Sequence, residues 1–315
     1  MYCLGLDIGR SGVKMVLATT DENRRSELPI VPSVAKEIGS VRFGIDDTRE
    51  WTTRYGDHIW AIGEDAKTHG LPQETNIRQW HMQDDYWALT NAIFERMQRE
   101  QNVTPGAICA GLPSEASAKD REYVKGRIEQ IVPGAKVKVV PQPVGAFMAA
   151  LEADRLVGET DARALIIDIG RYSTDMLMTV GGRPSGESLH SAGGIAVAVT
   201  NLANVIRGDI GELPYDSLEK ILRTGKFRNY LGERDYGDLV AEVIADYRST
   251  VIERLIERAV GEYKNAVDVL IMAGGGADLI RLEDKYPMAL RPEGGRYVIA
   301  HGFAISARMI AGKGY

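Results

Sequence analysis

Apolar residues in this chain fall in short runs broken by polar turns, and the spacing of those runs predicts most of its elements. Tyr2 to Leu6 and Lys14 to Thr19 read as two strands joined by a tight turn, and Asp21 to Arg25 as a polar turn. From Leu28 to Gly70 the text is irregular, with strand-like pieces at Val41-Arg42-Phe43 and His58-Ile59-Trp60-Ala61-Ile62. Asp84 to Gln101 predicts a helix, because Tyr86, Leu89, Ile93 and Met97 recur on one face. A buried strand follows at Ala107 to Leu112, then a polar helix at Ser117 to Gln130, a strand at Val137 to Val140 and a small-residue helix at Val144 to Arg155. A boundary is expected around Gly158-Glu159-Thr160-Asp161. Beyond it, Ala164 to Ile167 and Asp175 to Val180 read as a second strand pair, and Gly193-Gly194 as the start of a helix to about Ile206. Residues 208 to 237 are polar and mixed, Leu239 to Val260 predicts one long amphipathic helix, and Val267 to Met272 a strand entering Ala273-Gly274-Gly275-Gly276. The tail, Tyr297 to Ile310, ends in a helix of small residues. Strands alternating with helices indicate an α/β protein.

One repeat organises this pattern. Leu6-Asp7-Ile8-Gly9-Arg10 returns as Ile167-Asp168-Ile169-Gly170-Arg171, each copy placed after an apolar run and before another strand. Aligned on the aspartates, Met15 also matches Met176. A supersecondary unit used twice, half a chain apart, implies two similar domains facing one another.

The turns of this repeat carry candidate chemistry. Gly9 and Gly12 permit positive φ and close backbone approach, and successive N–H groups in such a turn form an anion nest. Ser11 adds a hydroxyl and Lys14 a point charge for phosphate, and Gly170, Ser173 and Thr174 can serve likewise in the second copy. Two facing hairpins would hold a polyphosphate between them. Asp7 and Asp168 stand at strand ends beside these turns, where they suit a hydrated Mg²⁺, which keeps several waters and takes few carboxylates. The competing reading is that each aspartate caps its own turn. Gln142, stiffened by Pro141 and Pro143, is a candidate for orienting a water near a γ-phosphate, the competing reading being an exposed loop glutamine. Gly274-Gly275-Gly276 after a buried strand would let a flat nucleoside lie on bare backbone. The run lacks the third glycine of a dinucleotide fingerprint, and no phosphate loop ending in Gly-Lys-Ser/Thr occurs.

Composition narrows the class without choosing a function. The chain has 315 residues, 44% hydrophobic and 26% charged, with net charge −6. This fits two globular domains without a global basic footprint for nucleic acid. No run approaches the roughly 20 apolar residues that span a bilayer, and the start lacks the pattern of a signal peptide. Cys3 and Cys109 sit alone in apolar runs, which reads as two small buried hydrophobes in a reducing cytoplasm.

Taken in order, these motifs resemble the five-part nucleotide signature of the actin-like ATPase superfamily. Asp7 to Lys14 is similar to its first phosphate loop, Pro141 to Ala146 to its first connecting motif, and Asp168 to Asp175 to its second phosphate loop. Met272 to Ala277 resembles the adenosine motif, Ala300-His301-Gly302-Phe303-Ala304 the second connecting helix, and Gly193-Gly194 a glycine pair near the phosphates. Pro32-Ser33, Ile62-Gly63-Glu64-Asp65-Ala66 and Gly111-Leu112-Pro113 resemble the ParM branch of plasmid-segregation proteins. The resemblance implies two mixed-sheet domains, 1–157 with 300–315 and 158–299, around a central nucleotide cleft. It implies ATP (or GTP) and Mg²⁺ as ligands, polymerisation with ATP, hydrolysis for filament turnover, and a DNA-binding adaptor as partner. Arg10 and Arg171 depart from the small or polar residues expected in the turns, and either bind phosphate or point towards a neighbouring subunit. The alternative is a monomeric sugar-type kinase, against which Gly111-Leu112-Pro113-Ser114-Glu115 lacks the expected Gly-x-Pro-Gly segment and aspartate. A chaperone would need a further substrate domain, and an activator of a redox enzyme would need clustered cysteines.

Overall fold

The computed structural model describes residues 1–21, 24–40, 51–67, 79–153, 161–230, 232–260 and 267–312. Val41-Arg42-Phe43 and the boundary residues Gly158-Glu159-Thr160 lie outside them. The chain divides into two compact units, Met1–Glu152 with Glu293–Tyr315, and Ala153–Pro292. In the first unit β1 (Tyr2–Gly9), β2 (Gly12–Thr19) and β3 (Arg25–Val31) form an antiparallel meander. β4 (Ala35–Ser40), β5 (Thr52–Tyr55) and β6 (His58–Ile62) form a separate three-stranded sheet, ordered β4-β6-β5. These strands occupy the stretch whose text is irregular, because β4 and β5 are edges and show only a partial apolar face. A short helix α1 (Glu64–Lys67) and the long α2 (Asp84–Gln101) follow, then β7 (Ala107–Leu112), α3 (Ala118–Ile131), β8 (Lys136–Pro141) and α4 (Pro143–Ala153). β1 is central, with β2 antiparallel on one side and β7 parallel on the other. Both its faces are covered, which explains a continuous apolar run in place of alternation. The predicted face of α2 is buried in the core beside this sheet, and Ser117 and Asp120 close a reciprocal capping box at the start of α3.

The second unit repeats the plan. β9 (Arg163–Ile169), β10 (Ser173–Val180) and β11 (Arg183–Gly193) are antiparallel, and they are followed by α5 (Ala196–Ile210) and α6 (Tyr215–Thr224). The two-stranded ribbon β12 (Lys226–Asn229) and β13 (Gly232–Asp235) precedes α7 (Gly237–Tyr247) and α8 (Arg254–Val260), then β14 (Val269–Ala273) and β15 (Ala289–Leu290). The main sheet runs β11-β10-β9-β14-β15, the counterpart, strand for strand, of β3-β2-β1-β7-β8. In both sheets the first three strands are antiparallel, and the central strand has a parallel neighbour on its other side.

Three sequence expectations change here. Gly193 ends β11, and the helix begins only at Ala196. The polar stretch 208–237 holds α6, whose Leu218, Ile221 and Leu222 are buried, and the ribbon. The helix expected over Leu239–Val260 is interrupted by a π-helical turn at Arg248–Glu253. Within it the Ser249 and Thr250 hydroxyls donate to the Asp246 carbonyl at 3.0 and 2.7 Å, the kind of back-bonding that bends helices.

The final helix, α9 (Val298–Gly312), belongs to the first unit and packs on β1, β2 and β7. Glycines set how closely it can approach. A Cβ on Gly302 would lie 1.7 Å from the Gly145 carbonyl oxygen of α4, and one on Gly5 would lie 2.0 Å from the Ala300 carbonyl oxygen. Phe303 is fully buried, and its ring fills the space where a Cβ on Gly111 would stand, 2.4 Å from its Cζ. Tyr297 donates to the Leu28 carbonyl at 2.7 Å and ties the entry of α9 to β3. Because backbone meets backbone at Gly302, Gly302→Ala should lower stability by about 3 kcal/mol. At Gly126, inside α3 with nothing within 4 Å of a Cβ, alanine should raise stability by about 0.5–1 kcal/mol. Urea unfolding of the two variants reads both effects.

Candidate functional site

In the first unit the site grows from the hairpin register. Asp7 and Lys14 are directly opposed across β1 and β2, so their side chains share a face, and Lys14 Nζ lies 3.2 Å from Asp7 Oδ2. The other carboxylate oxygen, Oδ1, accepts from Gln142 Nε2 at 2.9 Å. Gln142 reaches it because β8 ends beside β7, where the Gln142 N–H donates to the Leu112 carbonyl at 2.8 Å, and α4 starts at Pro143. Asp7 is 4% exposed. Burial, with the charge of Asp7 added to it, holds the Tyr86 phenol well above its ordinary pKa. The turn itself is Arg10-Ser11, and Gly9 and Gly12 pair across it without positive φ. The expectation of positive φ at these two glycines is therefore corrected to one of space. A Cβ on Gly9 would stand 2.7 Å from Lys14 Nζ, and one on Gly12 would stand 2.8 Å from Ile30 Cγ2. Arg10 is half-buried and engaged in interactions. Ser33, which sequence reasoning did not place at the site, is buried and donates its hydroxyl to the Gly9 carbonyl. Its one sequence signal was the Pro32-Ser33 step.

In the second unit the same hairpin is furnished differently. The residue opposite Asp168 is Asp175, and both are buried. Asp175 therefore occupies the place that Lys14 holds in the first copy, seven residues after the aspartate in each. Ser173 donates to Asp175 Oδ2 at 2.8 Å. Thr174 is fully buried, and its hydroxyl donates to the Gly193 carbonyl at 3.1 Å and lies 3.0 Å from the Tyr247 hydroxyl. Tyr247 also donates to the Gly193 carbonyl, and burial pushes its phenol up to about 12. The Thr174 hydroxyl thus serves as footing for the turn. Gly194 presses on the turn so closely that a Cβ would come 2.6 Å from the carbonyl oxygens of Gly170 and Arg171. The start of α5 clasps the same turn, with the Ile195 and Ala196 N–H groups donating to the Gly170 and Arg171 carbonyls.

The glycine triplet wraps the end of β9. Gly274 has φ +87°, and a Cβ there would stand 2.3 Å from Asp168 Oδ1. A Cβ on Gly276 would stand 2.6 Å from Ile169 Cγ2, and the Gly276 N–H donates to the Ile169 carbonyl at 2.9 Å. Two of the three glycines thus answer to the chain's own packing, and Gly275 alone faces open space. Arg291 fixes the turn that follows, donating to the carbonyls of Ala277 and Ile280. Arg291 also holds the Glu283 carboxyl down at about 2.

Among the described residues no group of three or more His, Cys, Asp or Glu forms a ready-made metal site. The carboxylates present are few, Asp7 in one unit and the facing Asp168 and Asp175 in the other, and so small a number suits a cation that keeps most of its water. Cys3 and Cys109 are buried free thiols. Among the described residues no helix is long and apolar enough to cross a membrane. The two roles within the triplet separate by mutation. Gly274→Ala should cost about 2–3 kcal/mol of stability, whereas Gly275→Ala should leave the urea midpoint within about 0.5 kcal/mol of the parent.

Comparisons agree with this architecture. Residues 5–145 match the family model of the actin-like proteins' N-terminal domain, and residues 166–284 match that of the archaeal actin homologue MreB-like proteins, C-terminal part. Curated protein sequences give no match. Among solved structures, Ta0583, an archaeal actin homolog in complex with ADP, is 17% identical, with 98% of this chain and 100% of that one covered at a TM-score of 0.72. A ParM filament from Clostridium botulinum is 17% identical over 98% and 99% of the two chains, with a TM-score of 0.71. MreB 5 of Spiroplasma citri bound to AMPPNP is 16% identical over 98% and 97%, with a TM-score of 0.70. At these identities the shared property is the fold. The repeated hairpin, the twice-used sheet order and the two family models together place the chain in the actin-like superfamily.

Proposed function

We propose that this protein binds and hydrolyses a nucleoside triphosphate and polymerises in its triphosphate-bound form, hydrolysis setting filament turnover. The observation that carries this reading is the duplicated Asp-Ile-Gly-Arg hairpin, with Asp7 bonded to both Lys14 and Gln142 in the first copy. A buried carboxylate that fixes a cation and an amide beside an open turn is a pre-organised phosphate site, and electrostatic pre-organisation is the main catalytic resource in phosphoryl transfer. Ligands named for fold neighbours, ADP and AMPPNP, support a nucleotide as the occupant, and the ParM filament supports self-assembly. In this reading both turns contribute to nucleotide binding. Segregation of DNA through an adaptor is the further extension suggested by the ParM-like steps at Pro32-Ser33 and Gly111-Leu112-Pro113.

The residues divide the work as follows. The backbone N–H groups of the two turns, with Ser11 and Ser173, bind phosphate oxygens. Lys14 supplies fixed positive charge to the γ-phosphate, its ammonium kept in place by Asp7. Gln142, released from Asp7 by a side-chain rotation, orients the attacking water without itself ionising. Asp7 and Asp168, with Asp175, are the residues that would hold Mg²⁺ through its waters. When bound, the ion would neutralise charge on the phosphate oxygens. Gly275 offers the bare backbone on which the nucleoside rests.

Phosphate release and right-angle light scattering after addition of ATP and Mg²⁺ test this. Scattering should rise and then decay, and chelation of Mg²⁺ should abolish both signals. Asp168→Ala should eliminate turnover with the fold retained. Gln142→Ala should slow hydrolysis at least about tenfold, or about 1.4 kcal/mol of barrier, while filaments still form. Turnover at the parental rate in Gln142→Ala would remove that residue from the mechanism, and a flat scattering trace with turnover dependent on a sugar would favour a kinase.

A further inference from the structure

Arg171 stands in the phosphate turn of the second unit, yet its side chain is committed to α6. Its guanidinium lies 2.6 Å from Asp216 Oδ1 and 3.8 Å from Glu219 Oε2, and it stacks 3.9 Å from the centre of the Tyr215 ring. Asp216 is 72% exposed, so that pair is screened by solvent and contributes little by itself. Glu219 is better placed. Its side chain is only 22% exposed, and its second oxygen, Oε1, accepts from Arg223 Nε at 3.0 Å and from an Arg223 terminal nitrogen at 2.9 Å. The same arginine donates to the Gly275 carbonyl at 2.9 Å. One carboxylate therefore divides its two oxygens between an arginine rooted in the phosphate turn and an arginine that grips the open glycine of the triplet.

The helix that carries this node is anchored. Leu218, Ile221 and Leu222 of α6 are buried in the core of the unit, and Gly225 at φ +70° terminates it. The phosphate turn is itself held on its other side by backbone bonds from the start of α5. A movement of the turn must therefore either break the contact of Arg171 with Glu219 or pass through Glu219 to Arg223 and Gly275.

We propose that Glu219 is a positioning residue that couples the phosphate turn to the glycine loop, so that occupation of either segment is felt at the other. Arg171 is then a strut of the site, committed to neither phosphate nor a neighbouring subunit. The inference rests on the nucleotide reading above and deepens it, because the two coupled segments are those assigned to the phosphate end and the nucleoside end of one ligand.

Two measurements on the full chain separate this coupling from that reading. The first is hydrogen exchange without nucleotide. Glu219→Gln, which removes the charge and keeps the shape, should speed exchange about tenfold in residues 274–280 as well as in 170–174, whereas Glu219→Asp should restore part of the protection. Faster exchange confined to α6 would overturn the proposal. The second is the affinity for a fluorescent ADP of Arg171→Ala, Arg223→Ala and the double variant. With Glu219 present, the loss in the double variant should fall short of the product of the single losses by about threefold or more, and with Glu219→Gln the losses should multiply. Losses that multiply in both backgrounds would also overturn the coupling. Should the parent protein bind no nucleotide, the functional reading falls, and the exchange result still decides whether Glu219 joins the two segments.

Discussion

A carboxylate buried at the end of a central β-strand loses most of its hydration and has to be compensated by neighbouring dipoles or charges. This chain meets that demand twice, at Asp7 and at Asp168, on the same strand of the same sheet order. In the first unit the compensation comes from within, through the ammonium of Lys14 and the amide of Gln142. In the second unit the register sets another carboxylate, Asp175, directly opposite, an arrangement that is unfavourable for two like charges. One backbone plan thus yields a site furnished with a cation and a site rich in anion. On the proposed function, Lys14 in the first unit suits phosphate charge, and the facing carboxylates of the second suit a hydrated metal ion.

The glycines follow from the same crowding. Gly5 lets α9 lie against the central strand of the first unit, and Gly302 and Gly145 let α9 and α4 meet backbone to backbone just after Gln142. Gly194, Gly274 and Gly276 crowd the end of β9 and the turn after it. At all of these positions a methyl group would meet chain atoms under 3 Å away, so a side chain there would force its neighbours to shift.

Much of this was legible in the sequence, and the parts that were not share a cause. The Asp-Ile-Gly-Arg repeat disclosed both hairpins, because strand, turn and strand are encoded within twenty residues. The face of α2 was readable from its period, and Cys3 and Cys109 from their apolar surroundings. The strand β11 was missed because its residues are largely polar, and α6 because its apolar stripe, Leu218, Ile221 and Leu222, is short and set in a polar stretch. Ser33 bonded to Gly9 and Tyr247 bonded to Gly193 are contacts across 24 and 54 positions, and one sequence does not say which distant residue each will meet. Gly274 and Gly276 were read as room for a ligand, and the structure uses that room for Asp168 and Ile169. A glycine records that space is needed without recording what fills it.

The central proposal is that the chain binds one nucleotide and needs both hairpins to do so, and calorimetric titration with ADP in the presence of Mg²⁺ tests it most directly. The account predicts one nucleotide bound per chain, with affinity reduced at least about tenfold by Lys14→Ala in the first hairpin and by Asp168→Ala in the second. Two nucleotides per chain, or full affinity retained in either variant, would contradict it.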